Sequence, residues 1–163
     1  MVVGGALISQ NDSPMADQAT QRATIAASPE RLFEVVTDFE GYTDWARDLK
    51  AVEVVERDDE GRAVEVRYRA AAMGRSTSYT LRYDYSDAPR SLPWKLVSGD
   101  IMRRLDGAYE FQPVDGEPDR TDVVYHLAVE LVVPLPAFVK RRAETKIMNN
   151  ALRELKAHVE HGT

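Results

Sequence analysis

Five aromatic residues pose the first chemical question. Tyr79, Tyr83 and Tyr85 recur at even spacing, and Trp94 and Tyr109 alternate with other residues in the next two runs. Residues two apart share one face of a strand. Each of these rings offers an apolar body with one polar tip. Gathered on one face, they either line a pocket for a planar or isoprenoid molecule or make ordinary core. A second set lies towards the C-terminus, where Phe138, Arg142, Thr145 and Asn149 share one side of a helix-forming stretch that also carries Met148 and Leu152. One or two of its polar groups, with a tyrosine hydroxyl, would orient a mostly apolar guest.

Other chemistry finds little support. His126 follows Tyr125, so it faces outward if Tyr125 faces inward, and His158 and His161 stand near the chain end without a third well-placed ligand. No metal site and no cofactor is therefore expected. No histidine sits where a serine–histidine–carboxylate relay could form. Asp58-Asp59-Glu60 reads as a turn, and Gly4-Gly5 opens no phosphate-cradling loop. No position carries a specific catalytic motif, so catalytic residues stay unassigned.

These side chains need elements to position them. Gln18 to Ala27 alternates as a strand. Ser28-Pro29-Glu30 then offers a capping hydroxyl, a proline for the first helical position and an acid for the positive helix end. Leu32, Phe33, Val35 and Val36 form the stripe of a short helix that Gly41 should stop. Tyr42 to Ala46 reads as a second short turn of helix, with Trp45 packing it over the sheet. Six period-two runs follow, through Val52–Val55, Val64–Tyr68, Tyr79–Tyr85, Trp94–Ser98, Leu105–Phe111 and Val123–Val133. Tight turns join them, which predicts an antiparallel meander. From Ala137 to about Glu160 there is no Pro or Gly, which predicts one long helix.

That helix has an apolar stripe at its C-terminal end, Val159, Leu155, Leu152 and Met148, widened by Ile147 and Ala151. Towards its start the stripe turns polar, through Thr145 with Asn149 beside it, then Arg141 or Arg142, and Phe138. A dry core there would strand polar groups at about 1–3 kcal/mol each. This half is expected to face a cavity or its mouth; the alternative is that it projects into water.

The chain of 163 residues has the length of one domain, with 44% hydrophobic and 29% charged residues. It contains no cysteine, which removes disulfides and thiol chemistry, and its net charge of −6 disfavours nucleic acid as a partner. Residues 1–16 read as a flexible tail and 17–161 as one domain. A cytoplasmic location is expected, since no run approaches the roughly 20 apolar residues of a membrane span. Residues 137–161 run against the overall charge, with six lysines and arginines against three glutamates. Lys140, Arg141 and Arg142 sit near the positive helix end, where the dipole does not favour cations. They form either a solvated face or a transient contact for a membrane or an acyl-carrier protein. The sequence leaves oligomeric state open.

Taken in order, Ser28-Pro29-Glu30-Arg31-Leu32-Phe33, Asp38 to Trp45, Leu105-Asp106-Gly107-Ala108-Tyr109-Glu110-Phe111, Thr121-Asp122-Val123-Val124-Tyr125 and Leu135-Pro136 resemble the START-like (SRPBCC) superfamily. Within it the chain is most similar to the polyketide cyclase/dehydrase and lipid-transport family, which includes coenzyme-Q-binding proteins. The likeness runs from Gln18 to about Val159. Thr43 departs from it, standing where relatives usually carry proline. The resemblance implies an α+β helix-grip fold: a curved antiparallel sheet of seven strands wrapped on a long C-terminal helix, with a cavity between them. It implies binding or transport of a hydrophobic small molecule, such as a polyketide, quinone or lipid. The alternative is a polyketide cyclase/dehydratase that promotes aldol-type ring closure and dehydration. The candidate ligand-binding residues are Tyr79, Tyr83, Trp94, Tyr109, Phe138, Arg142, Thr145, Met148, Asn149 and Leu152.

Overall fold

The computed structural model describes residues 18–161 apart from Met73. The proposed tail, 1–16, lies outside the described residues. Strand β1 (Ala19–Ile25) leads into helix α1 (Pro29–Thr37) and a 3-10 segment (Phe39–Asp44). Six strands follow: β2 (Leu49–Arg57), β3 (Ala63–Ala72), β4 (Arg75–Tyr83), β5 (Ser91–Gly99), β6 (Met102–Val114) and β7 (Glu117–Leu131). Helix α2 (Ala137–His161) ends the described chain. The strands make one antiparallel sheet in the order β1-β7-β6-β5-β4-β3-β2. The meander is as expected, and β1 adds to its far edge by pairing Ala19 with Leu127 through Ile25 with Thr121.

Local chemistry sets the element ends. Ser28 caps α1 by accepting the Arg31 amide at 3.1 Å, with Pro29 in the first turn. Gly41 does not stop this helix. The Asp38 amide closes it onto the Glu34 and Val35 carbonyls, and Gly41 lies inside the 3-10 segment, close over the Asp38 carboxylate. The expected turn at Tyr42–Ala46 is thus a 3-10 segment that begins earlier, at Phe39. At the β6–β7 hairpin, Gly116 takes a φ of 76°, which L side chains rarely adopt.

Helix α2 packs chiefly on β1 and β7. Met148, Leu152 and Leu155 are buried there, each contributing about 1.5–3 kcal/mol by leaving water. The stripe then continues to Glu144, not to Thr145. Beyond the last β1 pairing at Leu127, the Val129 amide needs an acceptor, and Glu144 Oε2 takes it at 3.1 Å. Because the helix leans on one end of the sheet, its other flank stands off from the concave faces of β3, β4 and β5.

A bulge in β6 shapes that concave face. Met102 pairs with Leu131 and Arg104 with Glu130, so Arg103 is the extra residue. Leu105, Gly107, Tyr109 and Phe111 point inward by alternation. Met102 is out of phase with them and turns inward because Arg103 intervenes.

Candidate functional site: a tyrosine-lined cavity beneath the C-terminal helix

A cavity of about 200 Å³ lies between the free flank of α2 and the concave sheet. The strands supply Tyr68, Tyr79, Tyr83, Trp94, Tyr109 and Tyr125, with Leu81, Leu105, Leu127 and Met102 between them. Tyr42, Trp45 and Asp48 close one side, and α2 contributes Ile147, Asn150, Ala151 and Glu154. The rings hold one another. Trp94 meets Tyr125 edge-on at 5.5 Å and Tyr109 at 5.5 Å, while Tyr109 and Tyr125 pack at 4.8 Å. Trp94 can lie this close because residue 107 is glycine. The Trp45 ring stacks on His158 at 5.4 Å, which ties the 3-10 end of the cavity to α2.

The tyrosine hydroxyls divide into two groups. Tyr68 and Tyr83 share a hydrogen bond of 2.5 Å, and Tyr42 donates to the Val36 carbonyl. Tyr79, Tyr109 and Tyr125 line the cavity and make no hydrogen bond among the described residues. Each can serve as donor or acceptor to a guest. Burial pushes all three phenols above their ordinary range, with the negative Asp48 adding to the effect at Tyr79. They are neutral at physiological pH, so they donate hydrogen bonds and do not act as phenolate bases. The Asp48 and Glu154 carboxylates stand at the rim, Asp48 exposed and Glu154 half-buried.

Of the residues expected at the site, Tyr79, Tyr83, Trp94 and Tyr109 stand together in this cavity. Met148 and Leu152 are packed core between α2 and the sheet and are not among its lining residues. Phe138, Arg142, Thr145 and Asn149 lie elsewhere, in an open groove along the outer flank of α2 with Arg141 and Lys146. Phe138 is 64% exposed and Asn149 is exposed. The polar half of the stripe therefore faces solvent, because contact with β1 and β7 rotates Glu144 and Met148 inward and the neighbouring flank outward. Tyr42, Tyr68, Tyr125, Ile147, Asn150 and Glu154 were not anticipated. Period-two spacing with Tyr109 across β6 and β7 points to Tyr125, but nothing in the helix sequence tells which flank stands off. His126 faces away from the cavity, contacting Thr20 Oγ1 and Glu110 Oε2 at 2.9 Å each.

A seven-stranded sheet gripping one long helix over an internal, mostly apolar cavity defines a helix-grip domain of the START type. The match to the family model for polyketide cyclase / dehydrase and lipid transport spans residues 16–160, and the chain belongs to that family. Solved structures share the fold. A START superfamily protein from Mycobacterium smegmatis is 23% identical, with a TM-score of 0.84 over 90% of this chain and 99% of its own. A protein from Thermus thermophilus is 24% identical, with a TM-score of 0.73 over 90% and 99%. An aromatase/cyclase from Streptomyces sp. R1128 is 21% identical, with a TM-score of 0.68 over 87% and 94%. No curated protein matches the chain in sequence. No described helix is long and apolar enough to cross a membrane.

Proposed function

We propose that the chain binds a hydrophobic small molecule carrying ring or chain oxygens, a polyketide, a quinone or a lipid, in the tyrosine-lined cavity. The observation that carries this reading is the set of three hydroxyls, on Tyr79, Tyr109 and Tyr125, that make no hydrogen bond among the described residues in a mostly apolar hollow. These hydroxyls open into the hollow, and a carbonyl or hydroxyl on the guest gives each a hydrogen bond worth about 0.5–1.5 kcal/mol net. Burial of the guest's apolar surface, at about 25 cal/mol per Å², supplies the rest of the affinity. Transfer to or from an anionic partner, a phospholipid surface or an acyl-carrier protein in the cytoplasm, belongs to the same reading. Lys140, Arg141 and Arg142 support it, beside the exposed Phe138 and Val133.

A second reading, ring closure of a poly-β-ketone, is favoured by one observation: proton acceptors and neutral donors border the same hollow. The Glu154 carboxylate would take a proton from the carbon between two carbonyls. The resulting enolate carbon would bond to a distant carbonyl carbon held by a tyrosine hydroxyl. The new alkoxide would recover the proton from Glu154.

Native mass spectrometry of the purified protein, with organic extraction, tests the binding reading. A retained apolar molecule that is lost on Tyr109→Phe with Tyr125→Phe is the expected result. An empty protein whose tryptophan emission answers to no apolar compound would overturn it. Turnover of a poly-β-ketone analogue that disappears in Glu154→Gln, with binding retained, would establish the enzyme instead.

A further inference from the structure

A second hollow adjoins the first. It has a volume of about 280 Å³ and lies where β6, β7 and the start of α2 meet. Met102 and Ile147 line both hollows, so these two side chains are the partition between them. Neither is a rigid wall. Methionine is unbranched and adapts its shape, and Ile147 is 39% exposed. The interior of the second hollow is apolar, with Ile101, Val129, Leu131 and Leu135. Its charged residues are Arg103, Lys140 and Glu130.

The charges are unequal in availability. Glu130 is engaged by Arg104 at 3.6 Å. Arg103 and the half-buried Lys140 form no ion pair among the described residues. One turn along α2, the Glu144 carboxylate is taken up by the Val129 amide. Arg103 reaches this place only because it is the bulged residue that also turns Met102 inward. The bulge thus builds the partition and a cation of the second hollow together.

Size argues that the two hollows serve one guest. Small-molecule sites usually enclose about 300–1,000 Å³. The tyrosine-lined hollow, at about 200 Å³, falls short of that range, and it reaches the range when the neighbouring 280 Å³ is joined to it.

We propose that the two hollows form one elongated site for an amphiphile, whose oxygen-bearing ring end lies among Tyr79, Tyr109 and Tyr125, whose aliphatic arm passes between Met102 and Ile147, and whose terminal anion, a carboxylate or phosphate, sits at Lys140 and Arg103. The inference rests on the binding reading above and adds the length and charge of the ligand.

Isothermal titration calorimetry tests it with four probes below their micelle-forming concentrations. They are 2-naphthol, 12-(6-hydroxy-2-naphthyl)dodecanoic acid, its methyl ester, and 12-(6-hydroxy-2-naphthyl)dodecyl phosphate. The acid or the phosphate is expected to bind at least tenfold tighter than 2-naphthol, and the better of the two identifies the anion. Lys140→Gln with Arg103→Gln should weaken that probe about tenfold and leave 2-naphthol and the ester within about twofold. Ala143→Phe, which fills only the second hollow, should lower every long probe to the affinity of 2-naphthol. If 2-naphthol binds and the arm adds nothing, or if the variants bind the anionic probes as the parent does, the elongated site is wrong and the ring site stands. If none of the four binds, the ring site itself fails and this inference with it. The Lys140→Gln and Arg103→Gln changes lie at half-buried and exposed positions, so they keep the test open should Ala143→Phe not fold.

Discussion

The indole of Trp94 lies against the backbone of Gly107: a β-carbon at residue 107 would fall 2.7 Å from Trp94 Cζ2 and closer still to the His126 carbonyl oxygen. The first neighbour is a ring wedged between Tyr109 and Tyr125, and the second is backbone of the adjacent strand. Neither yields cheaply. Gly107→Ala is therefore expected to cost about 1–3 kcal/mol, the range for overpacking a close-fitted interior. Chemical denaturation measures the loss. The tryptophan emission of the folded variant should also shift, because the ring that moves is part of the cavity wall.

The two groups of tyrosine hydroxyls should respond oppositely to the loss of one oxygen. Tyr68→Phe leaves the Tyr83 hydroxyl without its partner, at a cost of about 1–3 kcal/mol. The double change, Tyr68→Phe with Tyr83→Phe, should cost less than the two single changes together, because no orphan remains. Tyr109→Phe and Tyr125→Phe remove hydroxyls that make no hydrogen bond among the described residues, so stability should stay within about 0.5 kcal/mol or rise. Urea midpoints of the five variants, each set against the parent, decide this. A loss at Tyr109 as large as that at Tyr68 would mean that its hydroxyl is not free for a guest.

All of the chain's 7 tyrosines have phenols pushed upward, chiefly by burial, with Tyr85 at about 12. A raised folded-state value means the folded chain keeps protons that the unfolded chain releases. Stability from this source is fully present below about pH 10, the value for a free phenol, and is lost as pH rises beyond it. The loss is about 1.4 kcal/mol per pH unit for each buried phenol that stays protonated. Phenolate absorbance near 295 nm should therefore stay small above pH 10 and then appear together with loss of circular dichroism. A gradual rise centred near pH 10 in a protein that is still folded would contradict the burial of these rings.

What the sequence disclosed follows from which periodicities are local. Strand alternation is local: Tyr79, Tyr83, Trp94 and Tyr109 could be placed on one face by counting in twos. Met102 could not, since counting back from Leu105 points it outward and only the extra residue at Arg103 reverses it. Tyr42 and Trp45 lie in or beside a 3-10 segment too short to display a period. The helix is harder for a different reason. Its buried stripe is legible from Met148 to Leu155, yet which flank faces the hollow depends on where α2 leans, and that is decided by β1 and β7 far along the chain. The acceptor that Val129 requires draws Glu144 inward, a charge that an apolar stripe passes over. A stripe traced without it assigns Thr145 and Asn149 to the cavity, and they belong to the outer flank.

The same geometry gives a direct test of whether the hollow is empty space or slack in a core. Ala151 projects from α2 into the tyrosine-lined cavity, one turn before the buried Leu155. Ala151→Leu adds three carbons at that point. In a filled interior such an addition costs about 1–3 kcal/mol. In a hollow of about 200 Å³ the new side chain gains contacts without displacing old ones, so stability should hold or increase. Affinity for any ring-bearing guest should fall about tenfold or more, because guest and leucine compete for one volume. Leu155→Ala provides the contrast, since that side chain is fully buried on the sheet side and its loss should cost about 2–5 kcal/mol. Thermal unfolding of both variants, read beside the binding of 2-naphthol, separates the outcomes. A marked destabilisation by Ala151→Leu with binding unchanged would place the guest somewhere other than beneath α2.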